Sequence, residues 1–258
     1  MRQAFLFGEL AADFPEVVRP FVSAAGGPNA VIALLLGGTP DQERWVPAYR
    51  DPMLAAGAGS VWVFTPDPDQ PEVPHEVLQR IRSSTGIFVG GGDPLRYHRL
   101  YAGGRVAALI RERYRAGVPY AGLSSGALIA PRCCILGGWQ VNRGGHRCTI
   151  HARHRMKEAV PEELVLGEGL GLLSGCTVEV HCSEWGALPR LMAALEQSGC
   201  RCGLGIDEPA CVELRDEQEG RVYGQGRVYW VQRESANRQF RVRVLEPGET
   251  FSLQTGGC

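Results

Sequence analysis

Short, unbroken apolar runs recur along the first half of the chain, and their spacing restricts the fold more than any other feature. Ala30-Val31-Ile32-Ala33-Leu34-Leu35-Leu36, Val61-Trp62-Val63-Phe64, Gly86-Ile87-Phe88-Val89 and Val118-Pro119-Tyr120-Ala121 lack the apolar–polar alternation of a half-exposed strand. Each therefore suits a strand covered on both faces, which is the habit of parallel sheets. Parallel strands need long crossovers, and Asp41 to Ala56 and Glu72 to Ser83 have helical length. Val106, Leu109, Ile110 and Tyr114 fall at helical spacing, with Arg105, Arg111, Arg113 and Arg115 on the wet face. The expected fold class is α/β, a doubly wound, mostly parallel sheet with helices on both faces.

Further along, Thr177-Val178-Glu179-Val180-His181 reads as a strand, and Leu188, Leu191, Met192 and Leu195 form a helical stripe packed on the sheet. Cys202-Gly203-Leu204-Gly205-Ile206 then returns to the core. Beyond Ala210 the pattern changes to short alternating strands, Arg221–Tyr223, Arg227–Val231 and Phe240–Val244, with Gly224-Gln225-Gly226 as a turn. These predict a small C-terminal antiparallel β element. The chain of 258 residues, 44% of them hydrophobic, can bury one large core. The expected organisation is a single α/β domain over 1–258, with a basic lid-like insertion at 137–165 and a β extension at 210–258.

A net charge of −1 provides no general surface for nucleic acid. No run approaches the roughly 18 apolar residues of a membrane helix, and Glu9 and Asp13 interrupt the start of the chain before a signal core could form. The nine cysteines lack the spacing of a disulfide framework and read as small hydrophobes in a reducing, cytoplasmic compartment.

The fourth apolar run leads straight into Gly122-Leu123-Ser124-Ser125-Gly126, and Ala127-Leu128-Ile129-Ala130 leads out as a helix start. Gly-x-Ser-x-Gly between strand and helix is the pattern of a nucleophile elbow, in which small residues permit a strained turn that lifts the Ser124 hydroxyl above the sheet. The Ser125 amide, at the helix head, would face a developing oxyanion. Ligands of open parallel sheets gather at the carboxyl ends of strands. Three such ends here carry permissive or reactive residues: Gly90-Gly91-Gly92-Asp93, Ser124 and His181. An amide of the glycine run would be the second oxyanion donor, and His181 the general base. The segment from Ser125 to Lys157 contains neither Asp nor Glu, so the carboxylate orienting the base must lie elsewhere. Glu208, ending the next core strand, is the first choice, with Glu179 and Asp207 in reserve.

Three ordered blocks resemble the serine peptidases that include dipeptidase E and cyanophycinase, which share a class I glutamine-amidotransferase-like fold. Phe88-Val89-Gly90-Gly91-Gly92-Asp93 resembles the family's Gly-Gly-Asp/Asn oxyanion strand, and Gly122-Leu123-Ser124-Ser125-Gly126-Ala127 its Gly-x-Ser-Ala-Gly-Ala elbow. Glu179-Val180-His181 through Arg190-Leu191, followed by Gly203–Glu208, resembles the cyanophycinase-type Asp-x-His-Phe block and its Gly-Ile-Asp-Glu strand. The resemblance spans about residues 30 to 215. It implies Ser124 as nucleophile, His181 as base, Glu208 as third member, and Gly92 and Ser125 as oxyanion donors; substrate contacts are expected at Asp93, Pro94, Trp185 and Arg190. It implies no cofactor.

The departures are specific. Pro94 stands where cyanophycinases carry Gln; Trp185 and Ala187 stand where they cluster arginines, with only Arg190 kept. Dipeptidase E places its triad acid between Ser and His, within a stretch that here begins with the acid-free segment. The specificity pocket is thus left unassigned. The basic stretch from Gly137 to Lys157 reads as a long loop or hairpin near the nucleophile. Its Arg143, Arg147, Arg153 and Arg155 would receive an acidic side chain or free carboxylate, or else form a solvated or oligomer-facing surface. His146, Cys148, His151 and His154 have metal-ligand chemistry, but no second cysteine pair completes a zinc spacing and the neighbouring arginines oppose a cation, so no metal is expected. Glutamine amidotransfer would need cysteine at position 124. The expectation is a cytoplasmic serine-type exopeptidase or amide hydrolase acting on short peptides through an acyl-enzyme. It would use no cofactor, nucleic acid or membrane, and would form a homodimer or higher homo-oligomer. The alternative is a non-catalytic binding or regulatory protein on the same fold.

Overall fold

The first half of the chain alternates strand and helix as its apolar runs require. The computed structural model describes residues 1–39, 42–67, 73–152, 161–234 and 239–253. Strand β1 (Gln3–Phe7) is followed by short helices α1 (Phe14–Val17) and α2 (Arg19–Ala24), then β2 (Val31–Leu35), α3 (Val46–Ala55), β3 (Ser60–Phe64), α4 (His75–Ser83) and β4 (Gly86–Val89). Helices α5 (Pro94–Tyr101) and α6 (Gly104–Arg115) precede β5 (Tyr120–Leu123), and α7 (Ser125–Leu128) follows it. The second half contains β6 (Cys133–Gly137), β7 (Gln140–Arg143), β8 (His146–Thr149), β9 (Val165–Glu168), β10 (Cys176–Val180), α8 (Leu188–Ser198) and β11 (Cys202–Ile206). It closes with β12 (Ala210–Arg215), β13 (Glu219–Gly224), β14 (Val228–Arg233), β15 (Phe240–Leu245) and β16 (Thr250–Ser252).

The main sheet has eight strands in the order β16-β13-β12-β1-β5-β4-β2-β3. From β1 to β3 every neighbouring pair is parallel, whereas β12, β13 and β16 extend the other side antiparallel. Alternate residues face opposite ways along each strand. Phe5, Phe7, Ile32, Leu34 and Phe88 pack with Phe14, Phe21, Tyr49 and Met53 of α1 to α3. Leu6, Leu35, Ile87, Val89 and Tyr120 pack with Ile81, Tyr97, Tyr101 and Ile110 of α4 to α6. The sheet is thus covered on both faces, which explains the unbroken apolar runs.

Three expectations are corrected. The strand ending at His181 and the Cys202–Ile206 strand do not join the main sheet. They pair with each other in parallel inside a second, four-stranded sheet, β10-β11-β14-β15. The C-terminal strands are not one separate element either: β12, β13 and β16 complete the main sheet, while β14 and β15 complete the second. Met1 to Phe7, considered above only as a possible leader, holds an inner strand that pairs with both β5 and β12. The pairing of β1 with β5 and β12 joins segments far apart in the chain, where no local pattern points.

Within the basic stretch, residues 140–149 form the β7–β8 hairpin, and 153–157 lie outside the described residues. Val141 and Ile150 pack on Ala193 of α8. Among the described residues no helix is long and apolar enough to cross a membrane, and the eight described cysteines carry free thiols.

Candidate active site

Strands β4 and β5 leave the sheet side by side, with Val89 in register with Gly122, so the glycine run and the serine elbow emerge together. Gly126 donates its N–H to the Gly90 carbonyl at 3.0 Å. A Cβ on Gly126 would lie 2.2 Å from the Val89 oxygen, and one on Gly122 would lie 2.4 Å from the Gly126 oxygen. Only glycine fits at either place. Ser124 has φ 50° and ψ −109°, a backbone state that costs a non-glycine residue on the order of 1–3 kcal/mol and persists only where its surroundings fix it. Those surroundings are the Ser124 N–H bonded to Phe7 at 2.9 Å and the immediate start of α7.

The three amides of the glycine run have different fates. Gly90 donates to Leu35 at 2.9 Å, and Gly91 donates to the Tyr49 hydroxyl at 3.0 Å. Gly92, at φ 155°, has an N–H with no acceptor among the described residues. Ser125 opens α7, where the first amides have no intrahelical acceptor, and its hydroxyl donates to the Gly92 carbonyl at 2.6 Å. The two expected oxyanion donors are therefore tied together.

Val180 pairs with Ile206 across the second sheet, so the residues following each strand lie next to one another. His181 is nearly fully buried and adopts φ 53°. Its Nε2 lies 3.1 Å from Ser124 Oγ and its Nδ1 lies 3.1 Å from Glu208 Oε1. A carboxylate can only accept, so the fitting tautomer has Nδ1–H donating to Glu208 and Nε2 accepting from the Ser124 hydroxyl. Trp185 stacks on the imidazole with ring centroids 4.1 Å apart and planes 15° apart.

The reserve acids are occupied elsewhere. Glu179 receives Arg190 through both oxygens, at 2.6 and 2.8 Å, in a buried pair. Asp207 accepts the Ser183 and Arg227 amides at 3.0 and 3.2 Å. Glu208, the first choice, is the one at the imidazole. The expectation that Arg190 meets substrate is corrected by the same pair: Arg190 is buried against Glu179 and the Gly138 carbonyl. Asp93 caps α5 by accepting the Arg96 amide at 2.7 Å, and Pro94 is the first residue of that helix.

Four residues near the site escaped sequence reasoning. Glu9 Oε2 lies 3.9 Å from His181 Nε2; reading Gln3–Phe7 as a strand would have placed Glu9 at a carboxyl end. Glu184 accepts the Glu208 amide at 3.2 Å, and burial lifts its carboxyl above the usual range. Tyr49 and Tyr97 bracket the glycine run, Tyr97 donating to the Gly91 carbonyl at 2.7 Å. Both tyrosines read locally as ordinary core aromatics. Among the basic residues, Arg143 pairs with Glu196 and Arg147 approaches Glu162; Arg153, Arg155 and His154 lie outside the described residues. No group of three or more metal-ligating side chains is assembled among the described residues.

The relatives of the chain support a serine peptidase. The profile of Peptidase family S51 matches residues 68–139, the stretch that contains the glycine run and the elbow. The chain is 25% identical over 256 residues to a cyanophycinase of Synechococcus elongatus, covering 93% of this chain and 75% of that one. A Peptidase E of Shewanella denitrificans is 47% identical over 51 residues, 20% of this chain and 22% of its own length. In fold, the chain is similar to the crystal structure of a peptidase from an acI-B1 actinobacterium, with a TM-score of 0.72 at 17% identity over 98% of this chain and 97% of that one. It is also similar to a putative Peptidase E from Listeria monocytogenes, with a TM-score of 0.53 at 16% identity over 87% of this chain and 98% of that one. The chain is thus similar to the S51 peptidases over the glycine run and the elbow, and to cyanophycinases over most of its length.

Proposed function

We propose that the chain hydrolyses short peptides or related amides through an acyl-enzyme on Ser124. His181 Nε2 takes the Ser124 proton as Oγ attacks the scissile carbonyl, and Glu208 holds the imidazole and stabilises the imidazolium. The Gly92 and Ser125 amides receive the developing oxyanion, each such donor being worth roughly a hundred- to thousandfold in rate. His181 then protonates the departing amine, and water releases the acid by the reverse sequence. The carrying observation is the run of contacts from Ser124 Oγ through His181 to Glu208, both 3.1 Å, at a serine held in a left-handed backbone state.

The same reading treats the parallel half of the main sheet as a doubly wound core within one domain, with 137–165 as a lid and 210–258 as an extension of it. It includes a cytoplasmic setting and a homodimer or higher homo-oligomer. Trp185, flat against the imidazole, is the reading's contact for the substrate side chain, with Asp93 and Pro94 on the other side of the mouth.

Two measurements on one sample test the mechanism. A fluorophosphonate should label the protein at Ser124, and Ser124→Ala should abolish both labelling and peptide turnover while leaving the melting curve intact. Turnover that survives in Ser124→Ala would overturn the proposal.

A further inference from the structure

We infer that Tyr97 is a positioning residue for catalysis, setting the orientation of the Gly92 amide through the peptide bond it shares with Gly91. The inference rests on the proposed function, since it concerns the oxyanion hole of that reaction.

A peptide unit is planar, and in the trans form its C=O and N–H point in opposite directions. Fixing the Gly91 oxygen therefore fixes where the Gly92 N–H points. Tyr97 does this by donating its hydroxyl to that oxygen at 2.7 Å. The constraint matters because three consecutive glycines leave this loop with little intrinsic preference of its own. Tyr97 is almost wholly buried, so the bond acts where water neither competes nor screens it. Its ring also closes one side of the loop: a Cβ on Gly92 would lie 2.9 Å from it.

The surrounding bonds leave Tyr97 this particular task. The Gly91 N–H is committed to Tyr49, which anchors the preceding peptide. The Gly92 carbonyl is committed to the Ser125 hydroxyl, which anchors the following one. The peptide between them carries the candidate donor, and among the described residues Tyr97 holds its oxygen. Donation to that oxygen also polarises the peptide, which makes the Gly92 N–H a stronger donor.

The same helix supplies the control. Tyr101 is also fully buried and donates its hydroxyl to a backbone carbonyl, that of Leu36, rather than to any carbonyl of the glycine run. Tyr97→Phe and Tyr101→Phe remove comparable buried hydroxyls from one helix, so a purely structural role predicts similar consequences for both. The readout is the second-order rate of labelling by a fluorophosphonate, whose phosphoryl oxygen takes the oxyanion's place in the adduct.

Tyr97→Phe should label about ten- to thirtyfold more slowly than the wild type, part of what removal of a whole donor costs. Tyr101→Phe should stay near the wild-type rate. The pH midpoint of labelling, which reports the base, should be the same in all three. Equal rates for Tyr97→Phe and wild type, or equal losses in the two variants, would overturn the inference. A wild type that fails to label would instead overturn the proposed mechanism, so the two failures are distinguishable. If Tyr97→Phe does not fold, Tyr97→Trp keeps a large ring and a donor, and wild-type labelling with its N–H displaced from the Gly91 oxygen would equally overturn it.

Discussion

His181 faces a different carboxylate through each ring nitrogen. Glu208 reaches Nδ1 at 3.1 Å and Glu9 approaches Nε2 at 3.9 Å. Only a carboxylate on Nδ1 leaves Nε2 available to the serine, so the proposed mechanism assigns the orienting role to Glu208. Glu208→Gln keeps the shape and removes the charge that stabilises the imidazolium. It should lower kcat by about a hundredfold or more while the fold persists. Steady-state kinetics with a cleaved dipeptide would check this, and a Glu208→Gln enzyme with unchanged kcat would move the role to another acid. At this scale the serine and the imidazole were legible, because an elbow needs glycines at fixed offsets and a strand-end histidine stands out. The choice among Glu179, Asp207 and Glu208 was not, because three acids close together in sequence differ only in what they meet. Glu179 meets Arg190, Asp207 meets backbone amides and Glu208 meets the imidazole.

Strand β12 shows what an element contributes beyond its pattern. It joins the antiparallel half of the main sheet to β1, and its Glu213 is buried among Gln3, Arg215 and Tyr223. Burial alone would raise the Glu213 carboxyl, but the hydrogen bonds from Arg215, Gln3 and Tyr223 together outweigh it and hold the group below its ordinary value of 4.5. A carboxyl depressed in the folded state stabilises the fold above its unfolded value, and that stabilisation is lost as pH falls through the folded one. Glu213→Gln should therefore cost about 1–2 kcal/mol at neutral pH. Its denaturant midpoint should fall less steeply than the wild type's as the pH drops below 4.5. Parallel acid profiles for the two proteins would count against this account. Elements in the parallel half could be read from sequence because burial on both faces leaves a continuous apolar run. The C-terminal strands could be recognised as strands, but not assigned to sheets, because alternation says which face is wet and nothing about the neighbour.

At the scale of the whole molecule, the site exists because two sheets meet. The chain passes from β11 of the second sheet through Asp207, Glu208 and Pro209 into β12 of the first, and Glu9 donates its amide to the Glu208 carbonyl at 3.1 Å. The histidine side of the site is braced by Arg190 of α8, which spans Glu179 of β10 and Gly138 at the foot of the hairpin. Arg190→Met should leave a buried carboxylate without its partner and cost about 3–5 kcal/mol, most of it recovered in Arg190→Met/Glu179→Leu. Chemical denaturation of both variants checks this. A stable Arg190→Met whose only defect is a raised KM would return Arg190 to the substrate. The sequence by itself determined a mostly parallel α/β core, the strand–turn–helix at Ser124 and the strand ending at His181, because sterics and hydrophobic periodicity act over a few neighbouring residues. Tertiary structure alone decided that the histidine comes from a second sheet, that Arg190 is a brace and that tyrosines frame the glycine run. Those outcomes depend on contacts between segments far apart in the chain, whose partners no local pattern names.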